Sequence, residues 1–144
     1  MKILLFKVNE KAFASDIVSV REVCLKGDVV EVPSVPGYIE GVMHYRGGYL
    51  PLMDAGAIYG IKQDSPRFVI VVEGNPPFGL VVSRIEGIVD VDGIEALPPV
   101  SKEASMVGVV EYSGDFAIVI DPSKLVRGRR KGVLRKAIEG VESG

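Results

Sequence analysis

The 144-residue chain holds one cysteine, Cys24, and one histidine, His44. A single cysteine excludes an internal disulfide, and the pair leaves no His/Cys cluster for a metal. A Ser-His-Asp triad would have to run through His44. Side-chain amides are equally scarce, being only Asn9, Asn75 and Gln63, a composition in keeping with heat adaptation. No apolar run approaches the ~20 residues of a membrane span. The first residues also lack the basic, apolar and small-residue order of a signal peptide. These absences predict a cytoplasmic chain with no direct membrane insertion, no metal and no cofactor.

Net charge is only −2, which argues against a strong overall pull on polyanions, but the charge is unevenly placed. Residues 1–123 carry 10 basic and 17 acidic side chains, a net of −7, whereas residues 124–144 carry 7 basic and 2 acidic ones, a net of +5. What is plentiful is β-branched: 24 Val and 12 Ile against 9 Leu, the mark of a core built mostly of sheet. The 17 Gly and 9 Pro spread along the chain supply the turns that short-stranded barrels need. At this length one domain with a real core is expected.

The stretch Tyr38–Gly60 organises the rest. Two β-prone runs, Ile39–Tyr45 and Tyr49–Met53, flank Gly47-Gly48, and a Gly-Gly pair there predicts a two-residue hairpin turn with φ > 0 at both positions. Arg46 then stands at the hairpin mouth. Pro51, lacking an N–H, places the returning strand at an edge or beside a bulge. Asp54 is set to cap a helix over Ala55–Tyr59 that Gly60 ends. Upstream, strands are expected at Ile3–Val8, Ala12–Ser15 and Val20–Leu25, with Ile17, Val20, Val23 and Cys24 at helix-like spacing along an apolar edge. Downstream, Phe68–Val72 and Phe78–Val82 read as a buried hairpin, and Ile85–Val91 as the next strand. Ile94–Ser105 should be irregular, because Pro98-Pro99 blocks a helix. Val107–Tyr112 and Phe116–Ile120 form a last hairpin around Ser113-Gly114. Asp121-Pro122 starts a C-terminal helix with Leu134, Ala137, Ile138 and Val141 on one stripe, and Gly128 and Gly132 should interrupt it. No strict repeat emerges, only a two-part rhythm.

No catalytic constellation stands out. His44 in an alternating strand reads as a half-buried strand residue, and Cys24 as a small core hydrophobe. Gly47-Gly48 sits between strands rather than between strand and helix, which argues against a nucleotide cradle. The Arg127–Lys136 cluster reads as a solvated helix face. By elimination the chain reads as a binding module rather than an enzyme.

The central run, Tyr38-Ile-Glu-Gly41-Val-Met-His-Tyr-Arg46-Gly47-x-x-x-Pro51-x-x-Asp54, resembles the signature of the CheW family of chemotaxis coupling proteins. The similarity extends to Phe6-x-Val8, Val20-Arg-Glu22-Val23 and Val32-Pro33 upstream, and to Phe78–Val82 and Ile118-x-Ile120-Asp121 downstream. His44-Tyr45 departs from the family's usual Asn-Leu, Ser83 stands where Asp is common, and Ala55–Tyr59 lacks the usual basic residues. The resemblance implies a mainly β fold of two intertwined five-stranded SH3-like barrels in one domain, 1–144. Approximate sub-barrels are 13–65 and 66–122 with the first strand shared, and 122–142 is a helix and basic tail. It also implies a non-enzymatic adaptor that binds the regulatory domain of a chemotaxis histidine kinase and the cytoplasmic tip of a methyl-accepting chemoreceptor. Arg46, Gly47 and Gly41 match signature positions, and Ile17, Val20 and Val23 fall where family members line a receptor groove. Gly48, Pro51 and Asp54 are the structural turn and cap positions. A scaffold for another kinase and receptor system is the alternative, with a nucleic-acid-binding small barrel as a third reading. The net −7 body and the few exposed aromatics speak against nucleic acid.

Overall fold

A computed structural model of the chain describes residues 1–97 and 103–142. Strands β1 (Lys2–Val8) and β2 (Lys11–Asp16) lead through a 3-10 turn at Ile17–Ser19 to β3 (Val20–Leu25) and β4 (Val29–Val30). The hairpin β5 (Ile39–Tyr45) and β6 (Gly48–Asp54) runs into helix α1 (Ala55–Tyr59). Then follow β7 (Phe68–Val72), β8 (Phe78–Val82), β9 (Arg84–Asp90), β10 (Glu95–Ala96), β11 (Met106–Tyr112) and β12 (Asp115–Ile120). A second 3-10 turn, Pro122–Val126, precedes helix α2 (Arg129–Glu142). The expected block at Pro98-Pro99 lies outside the described residues.

The strands form two sheets, ordered β10-β11-β12-β2-β1-β9 and β3-β7-β8-β6-β5-β4. Each has five strands of five residues or more and one of two residues, so the mainly β, doubled five-stranded architecture is as expected. Both sheets repeat one pattern, antiparallel except for a single parallel pairing, β2 with β12 and β6 with β8. The repeat reaches individual residues. Gly41, Val42, Tyr45, Gly47 and Asp54 have counterparts in Gly108, Val109, Tyr112, Gly114 and Asp121 at one constant offset. Both hairpins turn on two residues of positive φ, and both end at a capping aspartate. Sheet membership, however, does not change at 65/66. Residues 20–82 make one sheet, and residues 2–16 with 84–120 make the other. The reason is that β7 and β8 are the ladder joining β3 to β6; without them that sheet would have no middle.

Alternation along these strands sorts the apolar residues into three cores. Met43, Leu50, Leu52, Val69, Val71 and Val81 pack inside one sheet, and Cys24 of β3 and Val29 of β4 join them from its two edges. Edge residues meeting in one cluster mean that the sheet is rolled. Ile3, Leu5, Ala14, Val110, Ala117 and Val119 fill the other sheet in the same way. Between the sheets lies the largest core, with Leu4, Phe6, Val8 and Phe13 from one side and Ile70, Val72, Phe78, Leu80 and Val82 from the other. β1 therefore hydrogen-bonds within one sheet but supplies side chains to two cores. Strands buried on both faces show no polar alternation, which is why Phe68–Val72 and Phe78–Val82 are near-continuous apolar runs.

The basic C-terminal segment docks on the body. Leu134 and Ala137 are buried in the shared core, while Ile138 and Val141 are half-buried. Gly128, at φ +59, separates the 3-10 turn from α2 as expected; Gly132 does not interrupt α2, since it sits on an exposed turn where only its weak propensity counts. Arg130 grips the Glu103 carboxylate with both terminal nitrogens (2.9 and 3.3 Å) and lies over the Tyr38 ring. Glu103 also accepts from the Ser105 amide and hydroxyl, and Ser105 Oγ meets the Tyr59 hydroxyl at 2.9 Å. Burial pushes the Glu103 carboxyl up, but the hydrogen bonds from Arg130 and Ser105 hold it below its ordinary value of 4.5.

Gly41 holds φ +150 beside a bulge of β5, and a Cβ there would come within 2.5 Å of the Val30 carbonyl oxygen and of Val29 Cγ1. Gly41→Ala should cost about 1–3 kcal/mol of unfolding free energy in urea, whereas Gly37→Ala, with open space around it, should be nearly neutral. The Glu103 shift has a sign that titration checks. A carboxyl depressed in the folded state contributes stability above its ordinary pKa and loses it as pH falls through the lower folded value. Urea unfolding followed from about pH 6 to pH 3 should therefore show an acid limb that Glu103→Gln flattens.

Candidate functional site

The apolar edge predicted at Ile17, Val20 and Val23 exists, but not on a helix. Asp16 caps the 3-10 turn by accepting from the Val18 amide, and the chain is already extended at Val20. The register between β3 and β7 slips between Val20 and Glu22, making Arg21 a bulge residue. An extra residue shifts the two-residue alternation by one, so residues three apart across the bulge share a face. Helix-like spacing thus finds the right face through a different geometry. Val20 and Val23 join Ile17, Leu4 of β1 and Ile88 of β9 around a hollow of about 220 Å3 where the two sheets meet. Leu4 forms its buried floor, while Val23 and Ile88 are 37% and 59% exposed.

Charged pairs rim the hollow. Arg21 donates to both oxygens of Glu73, at 2.6 and 2.9 Å, and the Arg46 guanidinium pairs with Glu22. Arg46 also lies over the Tyr45 ring. The Tyr45 hydroxyl is buried beside these groups without a hydrogen bond of ordinary geometry. That hydroxyl and Arg46 together hold the Glu22 carboxyl below the usual range, and Arg21 does the same for Glu73. The Arg46–Glu22 and Lys26–Glu40 pairs tie β3 and the residue after it to β5 and its turn across the opening of the rolled sheet.

The hairpin turn is one residue earlier than expected. Tyr45 pairs with Gly48, leaving Arg46 (φ +48) and Gly47 (φ +79) as the two central residues. Gly48 is the first strand residue. This register, with Met43 opposite Leu50, turns both into the sheet's interior; a slip of one residue would expose them. Arg46 is exposed, held up by an unusual left-handed backbone. Pro51 sits on an interior strand, two residues from the β5 bulge and just before pairing with β8 begins at Leu52, so the bulge expectation holds and the edge expectation does not. Gly41, expected with Arg46 and Gly47 among the partner-binding residues, is buried under β4, where a side chain would meet Val29 and Val30. Asp54 caps α1 through the Gly56 amide (2.9 Å), and Gly60 ends it at φ +74.

Other groups settle the remaining chemistry. His44 is exposed and tilted against the Tyr49 ring with centroids 4.8 Å apart, since it lies beyond the core near the hairpin tip. Burial pushes the Cys24 thiol up, away from the thiolate that a nucleophile needs. Among the described residues no three His, Cys, Asp or Glu converge as a metal site. Ser83 donates to Gln63 Oε1 (2.6 Å) and accepts from the Asn9 amide (2.8 Å), while Gln63 Nε2 reaches Asp54 and the Val81 carbonyl. Gln63, Leu4, Ile88, Glu22 and Glu73 were not legible as site residues. The only local signal was that Gln63 is the sole glutamine; Ile88 reaches the hollow through long-range pairing.

A CheW-like domain model matches residues 2–130. The chain is 26% identical over 133 residues to a Thermotoga maritima protein called chemotaxis protein CheW, covering 87% of each. It is 32% identical over 141 residues to the Rhizobium meliloti protein of that name, covering 96% of this chain and 79% of the relative. The crystal structure of scaffolding protein TtCheW from Thermoanaerobacter tengcongensis superposes with a TM-score of 0.81 at 27% identity, covering 90% of this chain and 94% of that one.

The shifted turn makes a contrast between neighbouring glycines. Gly47→Val should destabilise by about 1–3 kcal/mol, because a β-branched residue is strained at that φ. Gly48→Ala, on a strand with its nearest non-neighbour atom 3.8 Å from the new Cβ, should be tolerated. Urea unfolding of the two variants checks the pair; equal losses would return the turn to Gly47-Gly48.

Proposed function

We propose that this chain, which belongs to the CheW-like domain family, is a non-enzymatic chemotaxis adaptor that couples a chemoreceptor to a histidine kinase. The observation that carries the reading is the hollow at the junction of the sheets. It offers Ile17, Val20, Val23 and Ile88 as partly open apolar surface, and its charged rim ends at Arg46. An apolar hairpin tip of a chemoreceptor displaces water from such a surface, while the rim fixes orientation and excludes wrong partners. The kinase regulatory domain is the second partner, with the Arg46-Gly47 tip contributing to its docking.

A pulldown with the kinase regulatory domain and with a soluble receptor-tip fragment, beside a nucleic-acid shift assay, tests the class. Binding to neither protein would overturn the proposal, and a nucleic-acid shift would favour the small-barrel alternative. Arg46→Ala should leave the melting temperature within a few degrees, as exposed changes do, yet weaken kinase or receptor binding. Ile88→Ala should cost little stability, because that side chain is already largely solvated, and Val23→Ala only somewhat more, since part of Val23 is open to water. Both should lower receptor-tip affinity in calorimetric titration; unchanged affinity in both would remove the hollow from the interface.

A further inference from the structure

Where α2 begins, the end of the Pro122–Val126 turn and the first turn of α2 border a cleft of about 490 Å3. Its lining includes Lys124, Arg127, Arg129 and Arg130 against one carboxylate, Glu103, with the Tyr38 ring as an apolar wall. Glu103 is engaged by Arg130. Among the described residues the side chains of Lys124, Arg127 and Arg129 make no hydrogen bond or ion pair. Three unpaired cations converging on one cleft repel one another, and this arrangement costs least when an anion lies among them.

We infer that this cleft is a docking site for an acidic peptide segment of a partner protein. Its size, about 490 Å3, exceeds what one small anion needs, and its cations come from both sides of the Gly128 break. Several carboxylates along a chain match that spread, and the Tyr38 ring and arginine stems accept the intervening methylenes. An extended polyanion fits less well, since the rest of the molecule, residues 1–123, carries −7 and repels a nucleic acid or an anionic membrane outside the cleft. The inference is independent of the adaptor reading, because neither the hollow nor Arg46 contributes to this surface.

Fluorescein-labelled octaglutamate, titrated into the full chain at low salt and followed by anisotropy, tests it. The double variant Arg127→Ala/Arg129→Ala should weaken peptide binding about tenfold, or about 1.4 kcal/mol. Arg135→Ala/Lys136→Ala removes the same charge from exposed α2 positions outside the cleft and should change it by about twofold at most, as for a screened surface charge. Inorganic phosphate should not displace the peptide at comparable concentration. Absence of peptide binding, equal loss in both double variants, displacement by phosphate alone, or tighter binding of a thymidine oligonucleotide or phosphatidylserine vesicles would each overturn the inference. If the first double variant fails to fold, Lys124→Ala reads the same site and should weaken binding while Lys136→Ala does not.

Discussion

Everything in this molecule depends on burying both faces of the same strands. β1, β7 and β8 turn one set of side chains into a rolled sheet and the other into the core between the sheets. Neither sheet can then be removed without exposing the outer face of its neighbour, so the two halves form one cooperative unit although their hydrogen-bond ladders are separate. The three cores also explain the composition. β-branched side chains suit a surface packed above and below, and Gly79 on β8 admits the Val69, Leu52 and Leu50 side chains where a Cβ would collide.

Where two rolled sheets meet, their curved walls cannot stay in contact along their whole length. The shared core closes most of the junction; the hollow at Ile17, Val20, Val23 and Ile88 is the part left open. The bulge at Arg21 does two things there. It swings Val20 and Val23 to one face, and it places Arg21 and Glu22 where they pair with Glu73 and Arg46. An irregularity in one edge strand thus produces both the apolar surface and its charged rim, because a bulge re-aims the side chains around it.

Polar groups hold the joints that apolar packing leaves loose. Gln63, Ser83, Asn9 and Asp54 link the linker after α1 to the β1–β2 turn and to β8. Arg130, Glu103, Ser105 and Tyr59 tie α2 and α1 to the segment before β11. In both networks nearly every buried donor finds an acceptor, the condition under which polar groups rigidify a structure rather than weaken it. The docked α2 turns the cationic tail from a loose appendage into a fixed charged surface.

Local chemistry was enough to read the strands of five residues or more, the cap at Asp54, the helix stop at Gly60 and the last hairpin at Ser113-Gly114, because each depends on residues a few positions apart; the two-residue β10 lay in a segment expected to be irregular. The resemblance carried by Gly41–Asp54 reached the family for the same reason: a short ordered motif is visible in one dimension. Which of Arg46, Gly47 and Gly48 form the turn was beyond it, since all three tolerate a turn and only the burial of Met43 and Leu50 selects the register. The repeat linking Gly41–Asp54 to Gly108–Asp121 was hidden because most positions between the matching residues differ and only the shared backbone aligns them. The assignment of β7 and β8 to the same sheet as β3, the meeting of Leu4 and Ile88 with Val23, and the pairing of Arg46 with Glu22 are contacts between residues distant in the chain. Such contacts are chosen by what buries the most apolar surface in three dimensions, and no spacing along the chain encodes that choice.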